Sequence, residues 1–324
     1  QWVAHTRVPL RRARHEHGPA ARRTAGETAT LPGMNEFEHL VTRLNARCES
    51  HPFHVGWYLR DLRTGLHAGR NADVVVPAAS TRKVAILMAA MRAVHRGDLD
   101  LEAPVTVDER WLVSDSGVFQ YFRPGFTITV HDVLLMMIIV SDNACTGIVC
   151  DLIGLGAVNA LSRDVGMTNT VHREAIPQYT IMSRVADGSA VMSDLPGTVN
   201  ETTPADMGRL LEAILRCEVD ASFAETMGVS PRLGSLALEM MSRQRLRARL
   251  PFLLPGDTRV AHKTGTSGTT YNDVGIVYRD GAPRFVLAVY TFQVPAILPD
   301  GRAAPGATSL LIGGLARDCW DSLT

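Results

Sequence analysis

Three short stretches of this sequence set a hydroxyl close to an amine or an amide. The first is Ser80-Thr81-Arg82-Lys83. A serine hydroxyl is a poor nucleophile until a neighbouring base takes its proton. On an α-helix three residues turn by about 300° and rise by about 4.5 Å, so Ser80 and Lys83 share a face and the amine can reach the hydroxyl. Lysine serves as a base only when neutral. Moving its pKa from about 10.4 to about 7 costs roughly 4.6 kcal/mol. Burial and a second nearby ammonium are the usual ways to supply that. Taken alone, the same four residues also read as an N-cap serine followed by a solvated lysine.

The second stretch is Ser141-Asp142-Asn143, directly after the apolar run Val133 to Val140. Ser141 can relay a proton to a leaving group. Asn143 can hold a substrate amide and touch Lys83. A helix junction capped by Ser, Asp or Asn is the plain alternative. The third is Lys263-Thr264-Gly265-Thr266, at the end of a strand pattern. Lys263 can supply the second ammonium and attract a carboxylate, which Thr264 can also bind. Gly265 lets the strand come close to a ligand. The Thr266 backbone N–H, with that of Ser80, can form an oxyanion hole, where one donor is worth about 3 to 4 kcal/mol in the transition state. The alternative is an edge strand with a protective lysine.

In this order, the SxxK, SDN and KTG motifs resemble those of class A β-lactamases and penicillin-binding proteins. Ser141 follows Ser80 by 61 positions, close to the family's usual interval. The resemblance runs from about Asn35 to Leu323. It implies a nucleophilic role for Ser80, proton transfer by Lys83 and Ser141, and substrate binding by Asn143, Lys263, Thr264, Gly265 and Thr266. It also implies β-lactam hydrolysis through an acyl-enzyme, with no cofactor or metal. Rival readings on the same scaffold are an esterase or D-amino-acid peptidase, or a non-catalytic penicillin-binding sensor. The expected partner is a small β-lactam, ester or peptide, and the expected state is a monomer.

One part of the family pattern is missing. Class A enzymes deacylate with a glutamate inside an ExxLN segment, whereas here the loop reads TVHREAIPQY from Thr170 onward and holds no ExxLN. The candidate replacements are Glu174, Asp187, Asp194 and Glu201. Glu174 lies nearest in sequence to where the base is wanted, and Glu201 is expected to form a loop-neck ion pair with Arg173 or Arg184. His262 precedes the third motif, but strand alternation turns it away from Lys263, towards a structural or surface role. No GxSxG elbow occurs, which disfavours an α/β-hydrolase triad.

The elements that must position these residues are readable from apolar periodicity. Asn35 to Cys48 has helical spacing. HVGWYLRDLRTGLHAG reads as two strands around a turn at Arg63-Thr64-Gly65. A helix is expected from about Ser80 to a C-cap at Gly97. Two or three helices follow between Val130 and Val165, broken near Ser141 and Gly154. Pro177 to Thr203 reads as a long loop, and Ala205 to Cys217 and Leu233 to Leu250 as helices. Three strands (TRVAHKTG, NDVGIVYRD, PRFVLAVYTF) and a closing helix over 306–322 complete the chain. The fold class is therefore α/β in the α+β sense. One antiparallel sheet is built from both chain ends with flanking helices, and an all-helical lobe occupies about 80–250 within a 34–324 domain.

Composition bounds the function. The 33 basic and 33 acidic side chains balance, which gives no support for nucleic acid or an anionic membrane surface as partner. The sequence reading finds no apolar run of the roughly 18 residues that span a bilayer. Five cysteines without a CxxC pair read as free thiols, which favour a reducing compartment. Residues 1–33 are rich in Arg and His, carry no apolar signal core, and read as a disordered tail. The family is commonly exported, so location stays open.

Overall fold

The computed structural model describes residues 34–112, 116–175 and 199–323. The tail expected over 1–33, and Asp187 and Asp194, lie outside them. Helix α1 (Met34–Glu49) leads into β1 (His54–Asp61), and a turn with Gly65 at φ 76° returns the chain into β2 (His67–Arg70). The short β3 (Val76–Pro77) precedes a 3₁₀ turn, Ala79–Arg82, which runs directly into α2 (Lys83–Arg96). Gly97 closes that helix in the left-handed conformation, as a C-cap glycine should. A small ribbon pairs β4 (Pro104–Val107) with β5 (Phe126–Thr129).

Helices α3 (Val130–Ile139) and α4 (Asn143–Val165) are separated at Val140 to Asp142, and α4 kinks at Gly154. Then come β6 (Glu201–Thr202), α5 (Pro204–Val219), α6 (Ala221–Thr226) and α7 (Pro231–Ser242). The chain ends with β7 (Val260–Ser267), β8 (Thr270–Arg279), β9 (Ala282–Phe292) and α8 (Ala304–Ser322). Asp280 and Gly281 both take positive φ between β8 and β9, the conformation a two-residue hairpin turn requires.

The five-stranded antiparallel sheet has the order β2-β1-β9-β8-β7, so strands from the two chain ends meet where β1 pairs with β9. Strand alternation sorts its side chains into two cores. Trp57, Leu59, Val277, Phe285, Leu287 and Val289 face one way and pack with Leu40 and Leu44 of α1 and Leu311 and Leu315 of α8. Val274, Ile276, Val286, Ala288 and Tyr290 face the other way and join the helical core. Helix α2 is buried continuously from Lys83 to Met91, the pattern of a helix surrounded by others. The catalytic candidates lie on segments that meet where these helices abut the sheet.

Two expectations need correction. The helix expected to reach Leu250 stops at Ser242. The next residues are Arg-rich and have no apolar stripe to pack. The Gln244 amide instead donates to the Ile138 carbonyl and accepts from Leu246 N–H. Helix α4 is long and apolar enough, by composition alone, to cross a bilayer, which the sequence reading did not anticipate. Its kink at Gly154 and its buried face, with Cys145 and Val149 in the helical core, make it a core helix of this fold. All five cysteines are free and buried.

Candidate active site

The first motif begins under backbone strain. Ala79, immediately before Ser80, has φ 45°, a left-handed conformation that costs a non-glycine residue about 1 kcal/mol or more. Surrounding contacts hold it there. Thr81 Oγ1 donates to the Ala78 carbonyl at 2.6 Å. That uses its only proton, so the Tyr290 hydroxyl, 2.7 Å away, donates to Thr81. The Asn272 amide donates to the Pro77 carbonyl at 3.2 Å. Strands β8 and β9 therefore pin the segment that presents Ser80. Neither the 3₁₀ turn nor α2 opens with a side-chain cap, so Ser80 is not an N-cap serine. Ser80 thus lies in the 3₁₀ turn and Lys83 opens α2, which begins three residues later than the sequence suggests.

Lys83 is 1 % exposed. Its amine donates to the Ser141 carbonyl and to Asn143 Oδ1, both at 2.7 Å, and lies 3.2 Å from Ser141 Oγ. Burial pushes its pKa well below the usual lysine range, with the Lys263 ammonium and then the Arg82 guanidinium adding to the effect. A neutral amine has two N–H groups. The two short contacts use both, leaving the lone pair to accept a proton.

The second motif is held by its aspartate, to which the sequence reading gave no role. Asp142 Oδ1 accepts from Cys145 N–H and so caps α4, while Oδ2 accepts from the N–H groups of Val118 and Phe119 at 2.7 and 2.9 Å. Ser141 has φ 61°, and the Ser116 hydroxyl donates to its carbonyl at 3.1 Å. Gly117 sits at φ 100°, where an added Cβ would lie 2.2 Å from Asp142 Oδ2. Gly117→Ala is therefore expected to destabilise the fold by about 2 kcal/mol or more and to displace the Ser141 loop. Thermal melting measures the first effect, and acylation kinetics the second.

The third motif lies against the first. A Cβ on Gly265 would sit 3.0 Å from the Thr81 methyl and 3.1 Å from Thr81 N, so the strand touches the turn next to Ser80 because residue 265 has no side chain. Lys263 is fully buried, and its ammonium donates to the Thr264 carbonyl at 2.8 Å. Burial pushes its pKa down to about 7, against the Asp273 carboxylate, which raises it; Arg249 lowers it further. Thr264 is buried and Thr266 is exposed. Sequence reasoning missed Arg249, whose guanidinium donates to the carbonyls of Gly265 and Asn272 at 2.9 and 2.6 Å and to Thr266 Oγ1 at 2.5 Å. It braces the exposed end of the strand from behind.

His262 turns away from Lys263, as alternation requires, but it is fully buried and not on the surface. Its Nδ1 lies 3.0 Å from both Asp273 oxygens, one of which also accepts from Leu250 N–H. Glu174 lies at the neck of the long loop, where the Asn200 side-chain oxygen accepts from the N–H groups of Arg173 and Glu174. The expected ion pair between Arg173 and Glu201 is present at 2.9 Å. Among the described residues no group of three or more His, Cys, Asp and Glu side chains could hold a metal ion.

This arrangement of fold and motifs has relatives. The chain is 24% identical over 279 residues to the beta-lactamase regulatory protein BlaB of Streptomyces cacaoi, covering 78% of this chain and 88% of that protein. It is 26% identical over 234 residues to the beta-lactamase VEB-1 of Pseudomonas aeruginosa, covering 69% and 72%. The crystal structure of a beta-lactamase from Sphaerobacter thermophilus superposes with a TM-score of 0.71 at 25% identity, covering 88% of this chain and 97% of that one. The model of the beta-lactamase enzyme family matches residues 39–323, and the chain therefore belongs to that family, with the class A β-lactamase-like serine hydrolase fold.

Proposed function

We propose that this protein hydrolyses an amide or ester through an acyl-enzyme on Ser80, with a β-lactam ring as the leading substrate. The observation that carries this reading is the buried Lys83 amine, one turn beyond Ser80 and hydrogen-bonded to Ser141 and Asn143. Neutral Lys83 takes the Ser80 proton as Oγ bonds to the carbonyl carbon. The N–H groups of Ser80 and Thr266 hold the oxyanion. The proton then passes from Lys83 through Ser141 to the leaving nitrogen as the C–N bond breaks. Lys263 and Thr264 receive the substrate carboxylate, and Asn143 its amide. Water then releases the acyl group, with Glu174 as the base.

A second reading keeps the nucleophile and changes the substrate. The loop neck carries Arg173-Glu174-Ala175 where the family has ExxLN, which favours an esterase or peptidase whose acyl group admits water by another route. The similarity to a protein named as regulatory favours a penicillin-binding sensor in the same way.

Intact-protein mass spectrometry over time, with a penicillin and separately a cephalosporin, distinguishes these. The expected result is a transient adduct on Ser80 with the lactam consumed. An adduct that persists moves the substrate to esters or peptides, or the role to sensing. No adduct and no consumption removes the β-lactam reading.

A further inference from the structure

We propose that Arg82 is a positioning residue for deacylation, fastening the neck of the long loop so that Glu174 is held beside the turn that carries Ser80. This inference rests on the acyl-enzyme reading above. Arg82 occupies the third position of the SxxK motif, between the nucleophile and its base, and is 2 % exposed. An arginine is seldom buried without a purpose, because its charge must be compensated. Its Nη2 donates to the Ala175 carbonyl. The groups whose charge favours its guanidinium are Cys150 and Glu174. Burial pushes the Cys150 thiol up, which keeps it protonated and leaves the Glu174 carboxylate as the anion facing Arg82.

The other end of the loop is stitched to the same segment. Val76 pairs with Thr202 and Pro77 with Glu201, and Ala78 N–H donates to the Asn200 carbonyl at 2.8 Å. Val171 bridges to Glu201 across the neck. Backbone pairing alone therefore closes the loop onto residues 76–78. Arg82 adds a fixed point on the far side of Ser80, through the bond from its Nη2 to the Ala175 carbonyl. The other charged or titratable groups around it are Lys83, the next residue, at the start of α2, and His172 in the loop neck, whose pKa burial and the Arg82 charge push down to about 3. His172 is thus neutral and does not compete with Arg82 for Glu174.

In the step this arrangement serves, a water oxygen bonds to the acyl carbon and its proton passes to Glu174. The bond from that carbon to Ser80 Oγ then breaks, and the proton returns to Oγ. A loop neck free to move away from Ser80 would slow this step and spare acylation.

The test uses the full chain, with a penicillin as probe, and reads adduct formation and adduct loss separately by rapid-quench mass spectrometry. Arg82→Met is expected to slow adduct loss by at least tenfold across pH 6 to 9, so that the acyl-enzyme accumulates. Arg82→Lys, which restores the charge but not the planar guanidinium, should recover part of the rate. If Arg82→Met does not fold, Arg82→Lys and Glu174→Gln carry the test, and both should slow adduct loss. Loss at the wild-type rate in folded Arg82→Met, or in Glu174→Gln, overturns the proposal. So does a wild-type adduct that never turns over, which leaves Ser80 acylation standing. Absence of any wild-type adduct, with no penicillin consumed, instead removes the β-lactam reading on which the proposal rests.

Discussion

Ser80→Ala is expected to abolish the adduct with penicillin and to lower turnover of every ester or lactam substrate by on the order of 10⁵-fold or more, the scale seen when an activated serine nucleophile is removed. The fold should tolerate the change. Ser80 caps neither the 3₁₀ turn nor α2. The strained backbone at Ala79 is held instead by Thr81, Tyr290 and Asn272. The variant should therefore melt close to the wild type while losing its chemistry, a combination that general destabilisation cannot produce. The Lys83 contacts to Ser141 and Asn143 do not involve the serine side chain, so the base should stay in place beside an empty position. Substrate should still bind, because Lys263, Thr264 and Asn143 are unchanged, and a raised affinity for intact penicillin would fit that separation of binding from reaction. Turnover within tenfold of the wild type would show that another group attacks the carbonyl.

The parts of this molecule that were legible in the sequence are those written into short runs of neighbouring residues. Alternation in HVGWYLRD and in PRFVLAVYTF announces strands, and in the sheet those two runs pair with each other. Gly97 marks a helix end by its left-handed conformation. The SxxK, SDN and KTG motifs each set their groups within a few positions, and the fold brings Lys83 onto the SDN segment and Gly265 against the turn next to Ser80. What escaped notice depends on contacts between distant residues. Asn272 reaches Pro77, and Tyr290 reaches Thr81, across about two hundred positions. No local pattern distinguishes them from other strand residues. Arg249 was hidden in an arginine-rich run that read as helix, and its meaning comes only from the carbonyls it meets. Arg82 sat in plain view inside the first motif as an unspecified residue. Its burial against the loop neck gives it significance, and burial is a property of the fold.

Acylation should depend on pH through Lys83, and the sign follows from its surroundings. Burial, then Lys263, then Arg82 depress the Lys83 pKa well below the usual lysine range. Only the neutral amine can take the Ser80 proton, so the second-order rate constant for acylation should rise with pH through that depressed value and then level off. An unperturbed lysine, with a pKa of about 10.4, would put the rise in the alkaline range instead. Lys83→Arg is the decisive variant. Its guanidinium keeps the positive charge at every accessible pH and cannot act as a base, so acylation should fall by about 10²- to 10⁴-fold and lose its pH-dependent rise. Lys263→Met should behave differently. It removes the ammonium next in effect after burial, so below about pH 7, where Lys263 is charged, the variant's Lys83 should hold its proton more tightly and the acylation limb should move to higher pH. Loss of the carboxylate partner would weaken substrate binding at every pH, so the limb must be read from the saturating rate. If Lys83→Arg retains the wild-type limb, the base is some other group. If Lys263→Met leaves the limb where it was, burial and the Arg82 charge tune the amine without Lys263.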